Sequence, residues 1–197
     1  MDDNPGSEFV HPSEDPRVIA GQGTVGVEIV KQMKEMEQGV MDVVVIPVGG
    51  GGLASGNIMS IKSRWPGCKV VLAEPEIVDD AKRSFESKTL QGHPGGKAAL
   101  SVADGLKTTL GPNTFPIVRD FADDVITCSE RDILIATKEV WTRMKVVIEP
   151  SAGTGIAVVK GEEFQRKYKD AKKIGVILCG GNVDVAKTCK VMEDMGV

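Results

Sequence analysis

The segment Val43-Val44-Val45-Ile46-Pro47-Val48 is apolar throughout and runs directly into four consecutive glycines, Gly49 to Gly52. A strand with no polar face must be covered on both sides, which is the situation of a parallel strand between two layers of helices. The residues that follow, Leu53 to Arg64, have the pattern of a helix. One strand, one glycine loop and one helix in that order already narrow the chain to the α/β class, with a mostly parallel sheet flanked by helices.

The same alternation continues along the chain. Lys69 to Ala73, Asp124 to Thr127 and Gly175 to Leu178 read as further short strands. Helices are expected over Thr24–Glu37, Asp79–Ser87, Ser129 to about Met144, a stretch beginning at Glu149-Pro150-Ser151, and Val185–Met195. Ser129 is a good N-cap, and Glu130 and Asp132 place acids in the first turn, where they favour the helix dipole. Pro150 suits the first turn of the next helix. Thr89 to Pro116, rich in Gly, Pro and Thr, reads as irregular. Gly6-Ser7-Glu8-Phe9 has the look of a cloning scar, so residues 1–9 are expected to be vector-derived or disordered, and 10–197 to be the folded part.

Composition removes several classes of function. Aromatic residues are only 4% of the chain, so the core must be aliphatic. A net charge of -4 leaves no positive footprint for nucleic acid. No apolar run has the length of a membrane span, and the start lacks the basic and apolar regions of a secretory signal. Cys68, Cys128, Cys179 and Cys189 lie far apart with no C-x-x-C pair. They read as reduced thiols of a cytoplasmic protein.

The glycine loop is where chemistry is expected. Four residues without Cβ atoms let a ligand approach the backbone closely, and their N–H groups next to a helix N-terminus suit a phosphate. A nucleotide-binding Rossmann-like domain is one reading of this loop. Gly50, Gly52 and Gly56 are spaced along it, and Glu74 ends the next strand 22 positions after Gly52, near where such domains hold a ribose. The G-x-G-x-x-x-G spacing departs from the dinucleotide fingerprint, and Pro47 counts against a central strand. A non-catalytic module that binds a phosphate ligand is another reading.

Several segments read together point elsewhere. Val10-His11-Pro12, Val18-Ile19-Ala20-Gly21-Gln22-Gly23-Thr24 and Val48-Gly49-Gly50-Gly51-Gly52-Leu53 come first. Ala73-Glu74-Pro75, Ala103-Asp104-Gly105, Ile148-Glu149-Pro150-Ser151-Ala152-Gly153 and Cys179-Gly180-Gly181-Asn182-Val183-Asp184 follow. This ordered set resembles the serine racemase and serine/threonine dehydratase family, whose members use pyridoxal phosphate (PLP) and share the fold of the tryptophan synthase β chain. The resemblance runs from Val10 to about Asp184 and implies the C-terminal part of the large, PLP-binding domain, incomplete here.

It implies a role for particular residues. Gly49, Gly50, Gly51, Gly52 and Leu53 would hold the PLP phosphate. Cys179 falls where family members place Ser or Cys beside the pyridine nitrogen, and a neutral partner there suits β-elimination. An inert buried cysteine is the alternative. Glu149 falls near the ring, although an acid favouring a helix dipole is an equally simple role. Glu74 and Asp80, with the carbonyl of Val78, fall on the family's divalent-cation site, suited to Mg²⁺ or Ca²⁺, with Mn²⁺ a further candidate. Two solvated acids near a helix start is the other reading. His11 and His93, each isolated in sequence, read as structural or surface residues.

Two departures from the family pattern stand out. The Schiff-base lysine segment and the small substrate-binding domain, which the resemblance puts in a further N-terminal portion, are not matched in this chain, so no catalytic lysine is assigned. Ser13 stands where the family carries an Asn. The resemblance implies L-serine or L-threonine as substrates of the whole enzyme, a chain inactive by itself, and a homodimeric assembly as a further expectation.

Overall fold

The computed structural model describes residues 6–93 and 100–197. Residues 1–5 and 94–99, part of the expected vector-derived start and of the irregular Thr89–Pro116 stretch, lie outside the described residues.

Among the described residues four strands form one sheet, β1 (Val43–Pro47), β2 (Lys69–Pro75), β3 (Asp124–Cys128) and β4 (Ile174–Val176), in the order β3-β2-β1-β4. All pairings are parallel, with Val43 opposite Lys69 and Ile174, and Val71 opposite Asp124. β1 is therefore central, and every one of its residues is buried. Its side chains alternate between two cores. Val44 and Ile46 join Ile58, Ile61, Leu72 and Val125 on one face, while Val43 and Val45 join Ala73, Ile126, Ile133 and Phe164 on the other. The unbroken apolar run is thus the sum of two half-patterns, one for each helical layer.

Pro47 is tolerated in this central strand for a specific reason. Val45 accepts a hydrogen bond from Ile177 and Val48 donates to Ala73, so the odd-numbered residues face β4 and the even-numbered ones face β2. The N–H that Pro47 lacks would face the β4 side, where the strand has already ended at Val176.

The helices are α1 (Pro16–Gln22), α2 (Thr24–Glu35), α3 (Gly52–Arg64), α4 (Asp80–Ser87), α5 (Phe115–Phe121), α6 (Glu130–Glu139), α7 (Pro150–Lys160), α8 (Glu162–Lys167) and α9 (Val185–Asp194). Ser129 caps α6, accepting from the Asp132 N–H at 3.1 Å. The helix expected to reach Met144 changes pitch at Val140, and a wider π turn carries it to Met144. α1, α5 and α8 were not foreseen. Asp15, whose carboxylate caps α1 ahead of Pro16, and Thr114-Phe115-Pro116 at the start of α5 are the local signals for the first two.

α3 positions the glycine loop and is buried along most of its length through small residues. Gly56 lets α1 cross closely, since a Cβ there would lie 2.2 Å from the Ile19 carbonyl oxygen. Asn57 donates to the Gln22 carbonyl at 3.1 Å and fixes the same crossing. Among the described residues, no helix is long and apolar enough to cross a membrane.

Candidate active site

The sheet ends in a cavity of about 910 Å³ beyond the C-terminal ends of its strands, where open α/β sheets hold their ligands. All seven residues expected to contact a cofactor line it: Gly49 to Gly52 and Leu53 from the β1–α3 junction, Glu149 from the residue before α7, and Cys179 from the segment after β4. These three stretches, spread from Gly49 to Cys179, meet there because the β1–α3 junction, the segment after β4 and the start of α7 all lie at the C-terminal edge of the parallel sheet.

The glycine loop is enclosed by protein. Ser13 presses on it from one side, and residues 106–114 from the other. A Cβ on Gly49 would lie 2.9 Å from Leu106 Cα, one on Gly50 would lie 2.5 Å from Ser13 Oγ, and one on Gly52 would lie 2.9 Å from Ser13 Cα. Gly51 caps α3 at φ +84, a left-handed conformation, and its Cβ would lie 2.6 Å from Leu110 Cδ2. Absence of side chains here therefore serves close packing of two neighbouring segments as well as ligand approach. The Gly50 N–H is tied to Thr108 Oγ1 at 2.8 Å. The N–H groups of Gly51, Gly52 and Leu53 have no acceptor among the described residues, as expected at a helix start.

The enclosing segments are fixed to each other. Glu14 accepts from the Asn113 N–H at 2.7 Å and faces the Thr114 hydroxyl at 2.7 Å, while Thr114 Oγ1 stands 3.0 Å from the Gly50 carbonyl oxygen. Thr108 and Thr114 were not singled out from the sequence, and hydroxyls in an irregular stretch give no periodic signal. Phe9, in the segment expected to be foreign, lines the cavity, and its ring meets that of His11 edge-on at 6.0 Å.

Across the cavity, the Glu149 carboxylate accepts weakly from the Asn182 N–H at 3.3 Å, and its own N–H donates to the Gly180 carbonyl. Burial, reinforced by the Glu149 carboxylate, holds the Cys179 thiol above its usual range, so it is neutral at physiological pH. Lys107 also lines the cavity. Its carbonyl oxygen accepts from His93 Nε2 at 2.6 Å.

The expected cation ligands lie at the end of β2 and the start of α4. Glu74 and Asp80 are both 1% exposed, so they are not solvated surface acids. Val78 sits between them in the single helical turn Glu76–Val78. Glu74 takes N–H groups from Ala81 (2.8 Å) and Lys82 (2.9 Å), one on each oxygen, and burial still raises its carboxyl well above the usual range. Glu74 is buried and does not line the cavity at the glycine loop, so it is not placed to hold a ribose there, which removes the main support for a nucleotide site. Asp80 Oδ2 accepts from the Leu110 N–H at 2.9 Å, and burial pushes this carboxyl up to about 6.

His93, expected to be a structural or surface residue, lines the cavity and lies beside Asp80, with Nδ1 3.2 Å from Oδ1. Among the described residues, no three His, Cys, Asp or Glu side chains form a metal-binding group.

Comparison with known proteins agrees with this geometry. The family model described as pyridoxal-phosphate dependent enzyme matches residues 1–180. The serine racemase of Dictyostelium discoideum is 44% identical over 186 residues, covering 94% of this chain and 55% of the relative. Among solved structures, maize serine racemase superposes with a TM-score of 0.85 at 34% identity, covering 96% of this chain and 56% of the other. The processed form of threonine deaminase isoform 2 from Solanum lycopersicum gives a TM-score of 0.84 at 30% identity, covering 97% and 50%. The chain thus spans about half the length of the curated relatives it matches. A cavity built on a glycine loop at the β1–α3 junction and a family match over nine-tenths of the sequence lead to one conclusion: the chain belongs to the pyridoxal-phosphate dependent enzymes.

Proposed function

We propose that this chain forms the phosphate and ring-nitrogen side of a PLP site in an enzyme that deaminates L-serine or L-threonine to a 2-oxo acid and ammonia, racemises serine, or does both. The observation that carries this reading is the convergence of Gly49–Leu53, Glu149 and Cys179 on one cavity. The residues fit the cofactor. Backbone donors at Gly51, Gly52 and Leu53, at the positive end of α3, suit a phosphate dianion. When bound, PLP supplies an electron sink for charge developing at the amino-acid Cα.

The protein side of the chemistry follows from the environment of each residue. Cys179, kept neutral by burial, serves the ring nitrogen without bringing a full negative charge to it. A neutral partner leaves the ring nitrogen largely unprotonated. That favours reactions in which a leaving group carries the developing charge away. Glu149 borders the ring from the start of α7. Ser13, against Gly50 and Gly52, orients the loop from the face where the family carries an Asn. The lysine that would bind the cofactor covalently is assigned to a portion of the enzyme outside this sequence.

Glu74, the Val78 carbonyl and Asp80 are proposed to hold Mg²⁺, Ca²⁺ or Mn²⁺. Two fully buried carboxylates with raised pKa values support this, because a dication offsets the cost of keeping both charged. Four free cysteines support a reducing, cytoplasmic setting. A homodimer is the proposed assembly, checked by sedimentation equilibrium.

Pyridoxine 5′-phosphate, which lacks the aldehyde, tests the site without covalent chemistry. Equilibrium dialysis is expected to show one bound equivalent, with no binding of pyridoxine at the same concentration. Equal binding of the two compounds would remove the phosphate cradle from the account. The chain alone is expected to release no ammonia from L-serine. A phosphate-binding module without catalysis is the second reading, favoured by the unmatched lysine segment. Restored ammonia release on adding the lysine-bearing portion would exclude it.

A further inference from the structure

His93 and Asp80 pose a problem that the fold by itself leaves open. Nε2 of His93 lies 2.6 Å from the Lys107 carbonyl oxygen, and a carbonyl can only accept, so Nε2 carries the proton. In the neutral ring this leaves a lone pair on Nδ1. Nδ1 lies 3.2 Å from Asp80 Oδ1, and Asp80 Oδ2 already accepts from the Leu110 N–H. Neither Nδ1 nor Oδ1 has a hydrogen-bond partner among the described residues, and neither atom is reached by solvent. The contact between them does not have hydrogen-bond geometry. Two buried polar atoms 3.2 Å apart, neither with a hydrogen-bond partner, leave room for a positive centre that both can reach.

We propose that His93 Nδ1 is a ligand of the divalent cation held by Asp80, and that this nitrogen donor biases the site toward first-row transition ions such as Mn²⁺ over Ca²⁺. His93 extends the cation site proposed above and rests on that reading. The spacing fits: two donors about 2.1 Å from one ion and at right angles to each other stand about 3.0 Å apart, and tetrahedral ligands about 3.4 Å apart. The observed 3.2 Å falls between these values.

The opposite ring nitrogen is arranged as ligating histidines require, donating to a backbone carbonyl that fixes tautomer and ring orientation. The remaining shell would come from Glu74 and the Val78 carbonyl of the site proposed above and from water, although as placed the three side chains do not form a metal-binding group among the described residues. An imidazole nitrogen strengthens binding along the transition series and does little for Ca²⁺, which takes oxygen ligands.

The site also touches the cavity. His93 lines it and holds the Lys107 carbonyl, Asp80 holds the Leu110 N–H, and Thr108 between them holds the Gly50 N–H. Cation binding on the Asp80–His93 edge would therefore fix the segment that encloses the glycine loop.

The chain, stripped of metal with chelator and loaded with one equivalent of Mn²⁺, can be examined by electron spin-echo envelope modulation. A ¹⁴N coupling from a directly bound imidazole is expected, absent in His93→Gln. That variant should weaken Mn²⁺ binding about tenfold or more while leaving Ca²⁺ binding nearly unchanged. One equivalent of bound Mn²⁺, lost in Asp80→Asn but showing no nitrogen coupling in the unmodified chain, would overturn His93 as a ligand and leave the carboxylate site standing. No stoichiometric Mn²⁺ binding at all would overturn both. The spectrum of the unmodified chain decides the matter without relying on how well a variant folds.

Discussion

Replacing Gly51 by alanine tests why the loop after β1 contains only glycine. Two costs can be read from the structure. Gly51 sits at φ +84, where an L-residue with a Cβ is disfavoured by about 1–2 kcal/mol. Its Cβ would also lie 2.6 Å from Leu110 Cδ2 and 2.8 Å from Thr114 Cβ. The leucine methyl can turn aside, but Thr114 is fully buried and bonded into the loop, so the backbone has to shift. Overpacking of this kind costs about 1–3 kcal/mol. Together the loss is about 3 kcal/mol, which for a chain of this size lowers the melting temperature by about 6–12 °C. Gly67 provides the matched control, since a Cβ there meets nothing within 4 Å. Gly67→Ala should be neutral or stabilising by up to about 1 kcal/mol, because alanine restricts the unfolded chain. Thermal melts of both variants, followed by far-UV circular dichroism, make the comparison. If Gly51→Ala melts within about 2 °C of Gly67→Ala, the enclosing segments do not press on the loop as described.

Other expectations are narrower. Asp123 is pulled up by burial, but the Lys62 ammonium, the Val70 N–H and Lys69 outweigh this and hold its carboxyl below the ordinary value. A depressed carboxyl stabilises the fold above its unfolded pKa and loses that contribution as pH falls through the folded value. Asp123→Asn should therefore cost about 2 kcal/mol at pH 7, with the deficit fading as the pH falls below the ordinary carboxylate value of about 4 in urea titrations. Cys68 is fully buried and pushed up to about 11, and Cys128 and Cys179 are also raised by burial, whereas Cys189 is exposed. Iodoacetamide at pH 7.5 should label Cys189 first, and pyridoxine 5′-phosphate should slow labelling of Cys179 alone. Protection of Cys68 to the same degree would point to general tightening of the fold.

Much of the fold was readable from the chain because its strands are short, apolar and well separated by helices. β1, β2 and β3 lie where the β-branched runs place them, and α6 begins at the serine that caps it. The ends of elements were less legible. The pitch change at Val140 and the short helices α1 and α5 depend on contacts made in the folded state, although Asp15-Pro16 was a usable signal. Of the seven cavity residues, Gly49 to Gly52 could be named from the glycine run itself, whereas Leu53, Glu149 and Cys179 were named through the family resemblance that their segments carry. His93 could not. It stands 13 positions from Asp80, and only the fold of the intervening α4 and turn brings the two side chains together. Glu74 was legible as a candidate ligand, but its burial, and with it the case against a nucleotide site, was not.

The central claim is that this chain offers one side of a PLP site without the residue that binds the cofactor covalently. Incubation with PLP, reduction with borohydride and mapping of adducts by mass spectrometry tests it directly. Scattered or absent lysine labelling is the predicted result. A single stoichiometric adduct, with Lys107 at the cavity wall the first position to inspect, would contradict it and make this chain its own Schiff-base partner.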